Sequence, residues 1–295
     1  MLLCVKCLQW KFNRIGELKL LNKFIMEDHV RAALIEDIGF GDIATENLAE
    51  ETDRLEGYLN TRNDGILCGV EVFKTVYKML SEDIKIEFHF KDGDAIKKGD
   101  KLATLSGPAK ELLMGERLSL NYIQRMSGIA TETHKYQEAI APYSAKIVDT
   151  RKTTPNFRMF EKHAVKTGGG ALHRFNLSDC AMIKDNHIRL AGSITKAVEK
   201  IRKNLSHAHK IEVECDTLEQ VAEAITAKAD IIMLDNMTIE QMKKAVVMID
   251  GKAIVEASGN VNLSTVNEIA STGVDIISSS AIVAKAPALD IALDM

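Results

Sequence analysis

Residues 147–158 read IVDTRKTTPNFR: an apolar pair runs into an aspartate, then Arg151 and Lys152 arrive side by side, with a Thr-Thr-Pro turn and Arg158 behind them. A buried strand has no use of its own for adjacent cations at its tip, so they point to something outside it. Further on, TGGGALHRF delivers His173 and Arg174, and IKDNH delivers Lys184 and Asp185. Carboxylates follow at Glu212, Glu214, Asp235 and Glu256, and hydroxyls at Ser258 and at Ser278 to Ser280. Four cations (Arg151, Lys152, Arg174, Lys184), with His173 as a further donor, need anionic partners when gathered at one mouth. A polyanionic substrate supplies them. Arginine grips carboxylate or phosphate bidentately, whereas lysine acts as a point charge. Glu214 and Asp235, beside a phosphate-rich ligand, suit Mg²⁺, which favours oxygen ligands and keeps several waters. Glu256-Ala-Ser258-Gly259-Asn260 ahead of a helix sets a hydroxyl and free amides at a helix N-terminus, a ready phosphate cradle.

Each feature alone has a plainer reading. Charges at strand ends are often solvated or paired with each other. A glycine run is first of all a flexible turn, a single histidine is more often a cap or a surface residue, and Asp235-Asn236 starts a turn. Their projection from one face outweighs these readings.

The elements that must position them are legible from periodicity. Six short apolar runs, KIVDT, AMIKD, IEVE, DIIMLD, AIVEA and VDIIS, alternate with amphipathic stretches from Lys146 onward. Leu218, Val221, Ala222 and Ile225 fall at helical spacing, as do Ile194, Val198, Ile201 and Leu205, and Ile239, Met242, Val246 and Ile249. Thr217 with Gln220, and Thr238 with Gln241, form capping-box patterns. This alternation predicts a parallel sheet with helices outside it. Asp235, Glu256 and Ser278 lie 21 and 22 positions apart, a regularity that suits a barrel, with a doubly wound open sheet as the alternative. A full eightfold barrel takes about 250 residues, so an incomplete α/β barrel over residues 129–280 is preferred. Its active groups then belong at the C-terminal ends of the strands.

Residues 26–128 read as a smaller α/β domain. GYLNTRNDGILCGVEVF and EFHFKDGDAIKKGDKLATLSGPA predict short strands between Asp-Gly and Lys-Gly turns, and ELLMGERLSLNYIQRMSGIATETHKYQEAIA predicts a helix. The tail, residues 281–295, is expected to pack back on this domain. Residues 1–25 read as an appendage whose Cys4-Val-Lys-Cys7 pair, with no second pair after it, is incidental. Lys6 interrupts the first apolar run and no small-residue cleavage site follows, which argues against a signal peptide.

With 46% hydrophobic and 27% charged residues, the composition is that of a globular protein. A net charge of −4 argues against a general nucleic-acid binder. No run of about 20 apolar residues predicts a membrane span. Five scattered cysteines fit reduced thiols in the cytoplasm rather than a disulfide framework.

Taken in order, DTRKTTP (149–155), GGGALHR (168–174), IKDNH (183–187), EVE (212–214), LDNM (234–237) and EASGN (256–260) closely resemble the motifs of quinolinate phosphoribosyltransferase, also called nicotinate-nucleotide diphosphorylase (carboxylating). ALIEDIGFGDIAT and ERLSLNYIQRMSGIAT extend the resemblance into the first half, so that it covers residues 26–295. It implies an N-terminal α/β sandwich-like domain, an incomplete parallel α/β barrel and a homodimer. The implied reaction joins quinolinate to phosphoribosyl pyrophosphate with Mg²⁺, in NAD biosynthesis. By matching motifs, Arg151, His173, Arg174 and Lys184 would form the quinolinate pocket, with Arg117 entering from the neighbouring subunit. Lys152 and Lys184 would contact phosphoribosyl pyrophosphate, Glu214 and Asp235 would serve its Mg²⁺ and ribose, and Ser258, Gly259 and Asn260 its 5′-phosphate. Lys152, Lys184, Glu214 and Asp235 would carry the chemistry. The sequence departs from the pattern at Leu172, where many members place asparagine, and at Ser280, where a glycine is usual in a loop that approaches phosphate. The alternatives are a related phosphoribosyltransferase for another heterocyclic base, a Schiff-base aldolase using Lys184, and a binding protein without turnover.

Overall fold

A computed structural model describes residues 20–295. The Cys4/Cys7 pair and most of the expected appendage lie outside the described residues. Helix α1 (Lys23–Ile38) begins three residues before the expected Met26, because Asn22 accepts hydrogen bonds from the Phe24 and Ile25 amides. Helix α2 (Ile43–Leu48) follows, capped likewise by Asp42. Strands β1 (Arg54–Thr61) and β2 (Gly65–Ile66) then lead to helix α3 (Val70–Leu80). Strands β3 (Lys85–Phe88), β4 (Ala95–Ile96) and β5 (Lys101–Pro108) run into the long helix α4 (Ala109–Ala139).

The start of α3 corrects the expectation of a strand through Val-Glu-Val-Phe. Its β-branched residues favour a strand, but Asp92, far along the chain, accepts from the Gly69 and Val70 amides and caps a helix there. Val72, Phe73, Val76 and Tyr77 then share one buried face. Tertiary capping overrides local propensity.

In the first domain β3, β5, β1 and the C-terminal strand Ile291–Asp294 form an antiparallel sheet, the tail pairing Leu293 with Leu59. Period-two burial along β1 and β5 turns Leu59 and Leu105 onto α3 and α4. Helix α4 serves two cores. Leu112, Leu120 and Ile123 pack into this sandwich, whereas Leu118, Tyr122, Met126 and Ile129 pack with the second domain. The boundary drawn at residue 128 thus falls inside one continuous helix.

The second domain contains β6 (Lys146–Val148), α5 (Arg158–Thr167), β7 (Ala181–Ile183), α6 (Asp185–Ala191), α7 (Ile194–Asn204) and β8 (Ile211–Cys215). It continues through α8 (Leu218–Thr226), β9 (Ile231–Asp235), α9 (Ile239–Ile249), β10 (Ile254–Ser258), α10 (Val266–Ala270), β11 (Ile276–Ser278) and α11 (Ala281–Ala284), and the tail strand is β12. All six strands from β6 to β11 pair in parallel, in the order β6-β11-β10-β9-β8-β7. The first strand therefore lies beside the last, and β7 to β11 follow chain order. A doubly wound sheet would instead reverse its order around a central first strand. The barrel is left incomplete at a seam between β6 and β7, where Ala171 bridges to Val148 and donates its amide to the Ile147 carbonyl at 2.8 Å. Both expected capping boxes, Thr217/Gln220 and Thr238/Gln241, are formed.

Candidate active site

The period of two sets Val213, Ile232, Leu234, Val255, Ala257 and Ile277 among the buried side chains under the helices. Their neighbours Lys184, Glu214, Asp235, Ser258 and Ser278 then converge at the C-terminal ends of the strands.

The seam supplies the remaining groups. Asp149, at the end of β6, and Lys162, on α5, are both fully buried and paired, with Lys162 Nζ donating to Asp149 Oδ1 at 2.8 Å. Burial pushes the Asp149 carboxyl up and the Lys162 ammonium down, and each is countered by the other's charge. The same Oδ1 takes the His173 amide at 2.9 Å, while Lys162 reaches the His173 carbonyl at 3.0 Å. The glycine run before it is more than a flexible turn: a side chain on Gly168 would start 2.3 Å from the Ala130 carbonyl of α4. Arg158 stays out of the mouth and braces its edge. It donates to Thr153 and to the Phe175 carbonyl, while buried Glu161 accepts from Thr154.

The result is a cavity of about 440 Å³ lined by Thr150, Arg151, Lys152, His173, Arg174, Met182, Lys184, Glu214, Met233, Asp235, Ser258 and Ser278. Arg174 is oriented by bonds to the Cys180 carbonyl (2.8 Å) and Met182 Sδ (3.4 Å), and Lys184 Nζ is paired with Glu214 Oε2. A second cavity of about 370 Å³ shares Thr150, Lys152, Asp235, Ser258 and Ser278 with the first, and adds Gly259, Asn260, Ser279, Ser280 and Lys285. Gly259 has φ +91°, and a side chain there would meet Asn236 Oδ1 at 2.2 Å, so only glycine closes this turn. Ser280, in contrast, has φ −76° and sits without backbone strain. Leu172 packs against the core.

Eleven of the twelve expected residues line one or both cavities; Arg117 lines neither and is exposed on α4. Sequence reasoning left Thr150, Met182, Met233 and Lys285 out of the site, and placed Ser278 at a strand end without giving it a role. Met182 and Met233 lie two residues before Lys184 and Asp235, so strand periodicity already held their signal. Lys285 follows a four-residue helix and had none.

Sequence reading also missed what lies beneath the floor. Glu212 and Glu256 are 0% and 2% exposed and line neither cavity. His173 Nε2 lies 3.5 Å from Glu212 Oε1 and 3.4 Å from Glu256 Oε1. Its Nδ1 accepts the Arg174 amide at 2.7 Å. Both ring nitrogens therefore face protein groups, which departs from the expected direct donor to substrate. Burial acts to lower the His173 pKa, but Glu212 and Glu256 together outweigh it and push it up to about 10. A charged ring would need hydrogen on Nδ1, where the Arg174 amide already points. The added proton therefore belongs to the cluster, in keeping with Glu212, whose pKa burial raises first and the Glu256 charge raises further.

The chain matches the family model described as quinolinate phosphoribosyl transferase, C-terminal domain, over residues 129–294, and the N-terminal domain model of the same name over residues 42–127. It is 42% identical over 274 residues to a probable nicotinate-nucleotide pyrophosphorylase [carboxylating] of Synechocystis, covering 92% of each chain. To the Bacillus subtilis protein of that name it is 41% identical over 283 residues, covering 96% of this chain and 94% of that one. The solved structure of the Francisella tularensis nicotinate-nucleotide pyrophosphorylase superposes with a TM-score of 0.90 at 40% identity, covering 95% of this chain and 99% of that one.

Proposed function

The chain belongs to the quinolinate phosphoribosyltransferase family and forms nicotinate mononucleotide from quinolinate and phosphoribosyl pyrophosphate in NAD biosynthesis, and we propose that its two joined cavities divide these substrates. The observation that carries the proposal is the shared wall: Lys152 and Asp235 border both cavities. Arg151, Arg174 and Lys184 on one side answer a dicarboxylate. Ser258, Gly259, Asn260, Ser280 and Lys285 on the other answer a 5′-phosphate. Lys152 stands at the junction, where a pyrophosphate would meet it.

In this arrangement the pyridine nitrogen attacks the anomeric carbon as the bond to pyrophosphate breaks. Glu214 and Asp235 face the positive charge that develops on the ribose, and Lys152 faces the departing anion. The pyridinium nitrogen formed then takes up the electron pair as the carboxylate on the adjacent carbon leaves as carbon dioxide, and a proton takes its place. The two carboxylates are hard oxygen donors that fit Mg²⁺ completed by water and pyrophosphate. Glu214 Oε2 is already paired with Lys184, so its Oε1 and the Asp235 carboxylate are the groups that would hold the ion. Bound there, Mg²⁺ would neutralise the leaving pyrophosphate.

We further propose a homodimer in which Arg117 completes the partner's quinolinate pocket. Helix α2 packs on α4, which carries Arg117, and the apolar side chains of Phe24, Ile25, Phe40, Ile43 and Leu48 are exposed on and around α1 and α2. A cytoplasmic setting agrees with the free thiols of Cys68, Cys180 and Cys215, and no helix of the described residues is long and apolar enough to cross a membrane.

Turnover with quinolinate, set beside nicotinate, tests the reading. Nicotinate mononucleotide and an equal amount of carbon dioxide from quinolinate, only with Mg²⁺ present, is the expected result. Product from nicotinate alone overturns the choice of base.

A further inference from the structure

Glu212 and Glu256 pose a problem that the reaction leaves unsolved. Their strands turn them inward, one step below Glu214 and Ser258, and neither reaches a cavity. Glu212 Oε1 and Oε2 and Glu256 Oε1 make no hydrogen bond, although buried carboxylate oxygens are costly to leave without partners. The group that faces them is the ring of His173. Since Nδ1 accepts the Arg174 amide, the ring hydrogen is on Nε2, held between the two carboxylates rather than committed to either.

The ring is one of three holds on the same residue. Asp149 accepts the His173 amide, Lys162 donates to its carbonyl, and the carboxylate pair faces its Nε2–H at 3.4–3.5 Å. Arg174 follows directly, with its own amide closing back on Nδ1. A cation aimed at a dicarboxylate gains most when its backbone is fixed before the ligand arrives.

We propose that Glu212 and Glu256 are positioning residues that hold the His173 ring from below and, through it, set Arg174 for the dicarboxylate. The proposal rests on the reading that the first cavity takes quinolinate. The same three side chains bring donor atoms within 4.8 Å of one another, a spacing that suits a metal ion. A ring with hydrogen on Nε2 has no lone pair to offer there, so the positioning role is the one the geometry favours.

Steady-state kinetics of Glu212→Gln and Glu256→Gln, with each substrate varied in turn, provide the test. Each variant raises KM for quinolinate about tenfold or more and leaves KM for phosphoribosyl pyrophosphate within about twofold. In a His173→Ala background either change adds less than about twofold, because the residue it acts through is gone. Equal rises for both substrates, an unchanged quinolinate KM, or effects that multiply with His173→Ala overturn the proposal. So does one metal ion per chain in the purified protein that Glu212→Gln removes. If the variants fail to fold, the ¹⁵N spectrum of the wild-type His173 ring decides: hydrogen on Nε2 near neutral pH supports the proposal, and a bare Nε2 overturns it. Wild-type protein inert toward quinolinate would refute the functional reading instead.

Discussion

Lys162 donates to Asp149 at 2.8 Å with neither side chain exposed to solvent, and the pair closes the seam of the barrel from within. Removing one partner leaves a buried charge without compensation. Lys162→Met is expected to lower the unfolding free energy by about 3–5 kcal/mol, read from urea denaturation. Adding Asp149→Leu restores part of that stability but not the activity, because the His173 amide has then lost its acceptor. Recovery of full activity in the double variant would show that the seam does not place His173.

The cluster beneath the mouth makes stability depend on pH. The cluster of His173, Glu212 and Glu256 keeps its added proton up to about 10, against 6.5 for a free imidazole, because the two carboxylates outweigh the burial that would lower it. A folded-state value above the unfolded one means the native state holds a proton that the unfolded chain releases. That stabilisation is complete below 6.5 and is lost as pH rises through about 10. Between these limits the wild type is expected to lose stability, on the order of a few kcal/mol, relative to His173→Ala. Parallel curves for the two proteins would remove the linkage.

Opposite kinetic signatures should separate the cavities. Arg151→Lys keeps the charge but gives up bidentate geometry, and is expected to raise the quinolinate KM about 10–100-fold with little effect on phosphoribosyl pyrophosphate. Gly259→Ala forces a side chain into Asn236 at φ +91°, and is expected to do the reverse. Overlapping profiles would mean that the two cavities do not divide the substrates.

Much of the site was legible in the sequence because strands obey a period of two and end where the chemistry collects. Lys184, Glu214 and Asp235 could be placed on one face from spacing alone, and the threonine–glutamine caps marked two of the helices that follow the strands. Depth was not legible. In Glu212-Val-Glu214 the two carboxylates look equivalent, yet the stagger of the barrel buries the first and opens the second. Nothing in the sequence around Lys162 signals its burial, which depends on Asp149 meeting it at the seam. The start of α3 was hidden for a related reason, since its cap comes from Asp92 across a fold that no local pattern encodes.

The role proposed for Arg117 can be tested without a structure of the dimer. Arg117→Ala and Lys184→Ala chains, each inactive alone, should recover about a quarter of wild-type activity when mixed and reassociated, since half of the dimers formed are hybrids with one intact site. Purified hybrids without activity would exclude a shared site.

The division of substrates is tested most directly by locating quinolinate in a crystal of its complex. The account predicts its carboxylates against Arg151, Arg174 and Lys184, with the ring nitrogen facing the wall of Lys152 and Asp235. Quinolinate bound instead among Ser258, Gly259, Asn260 and Lys285 would contradict it.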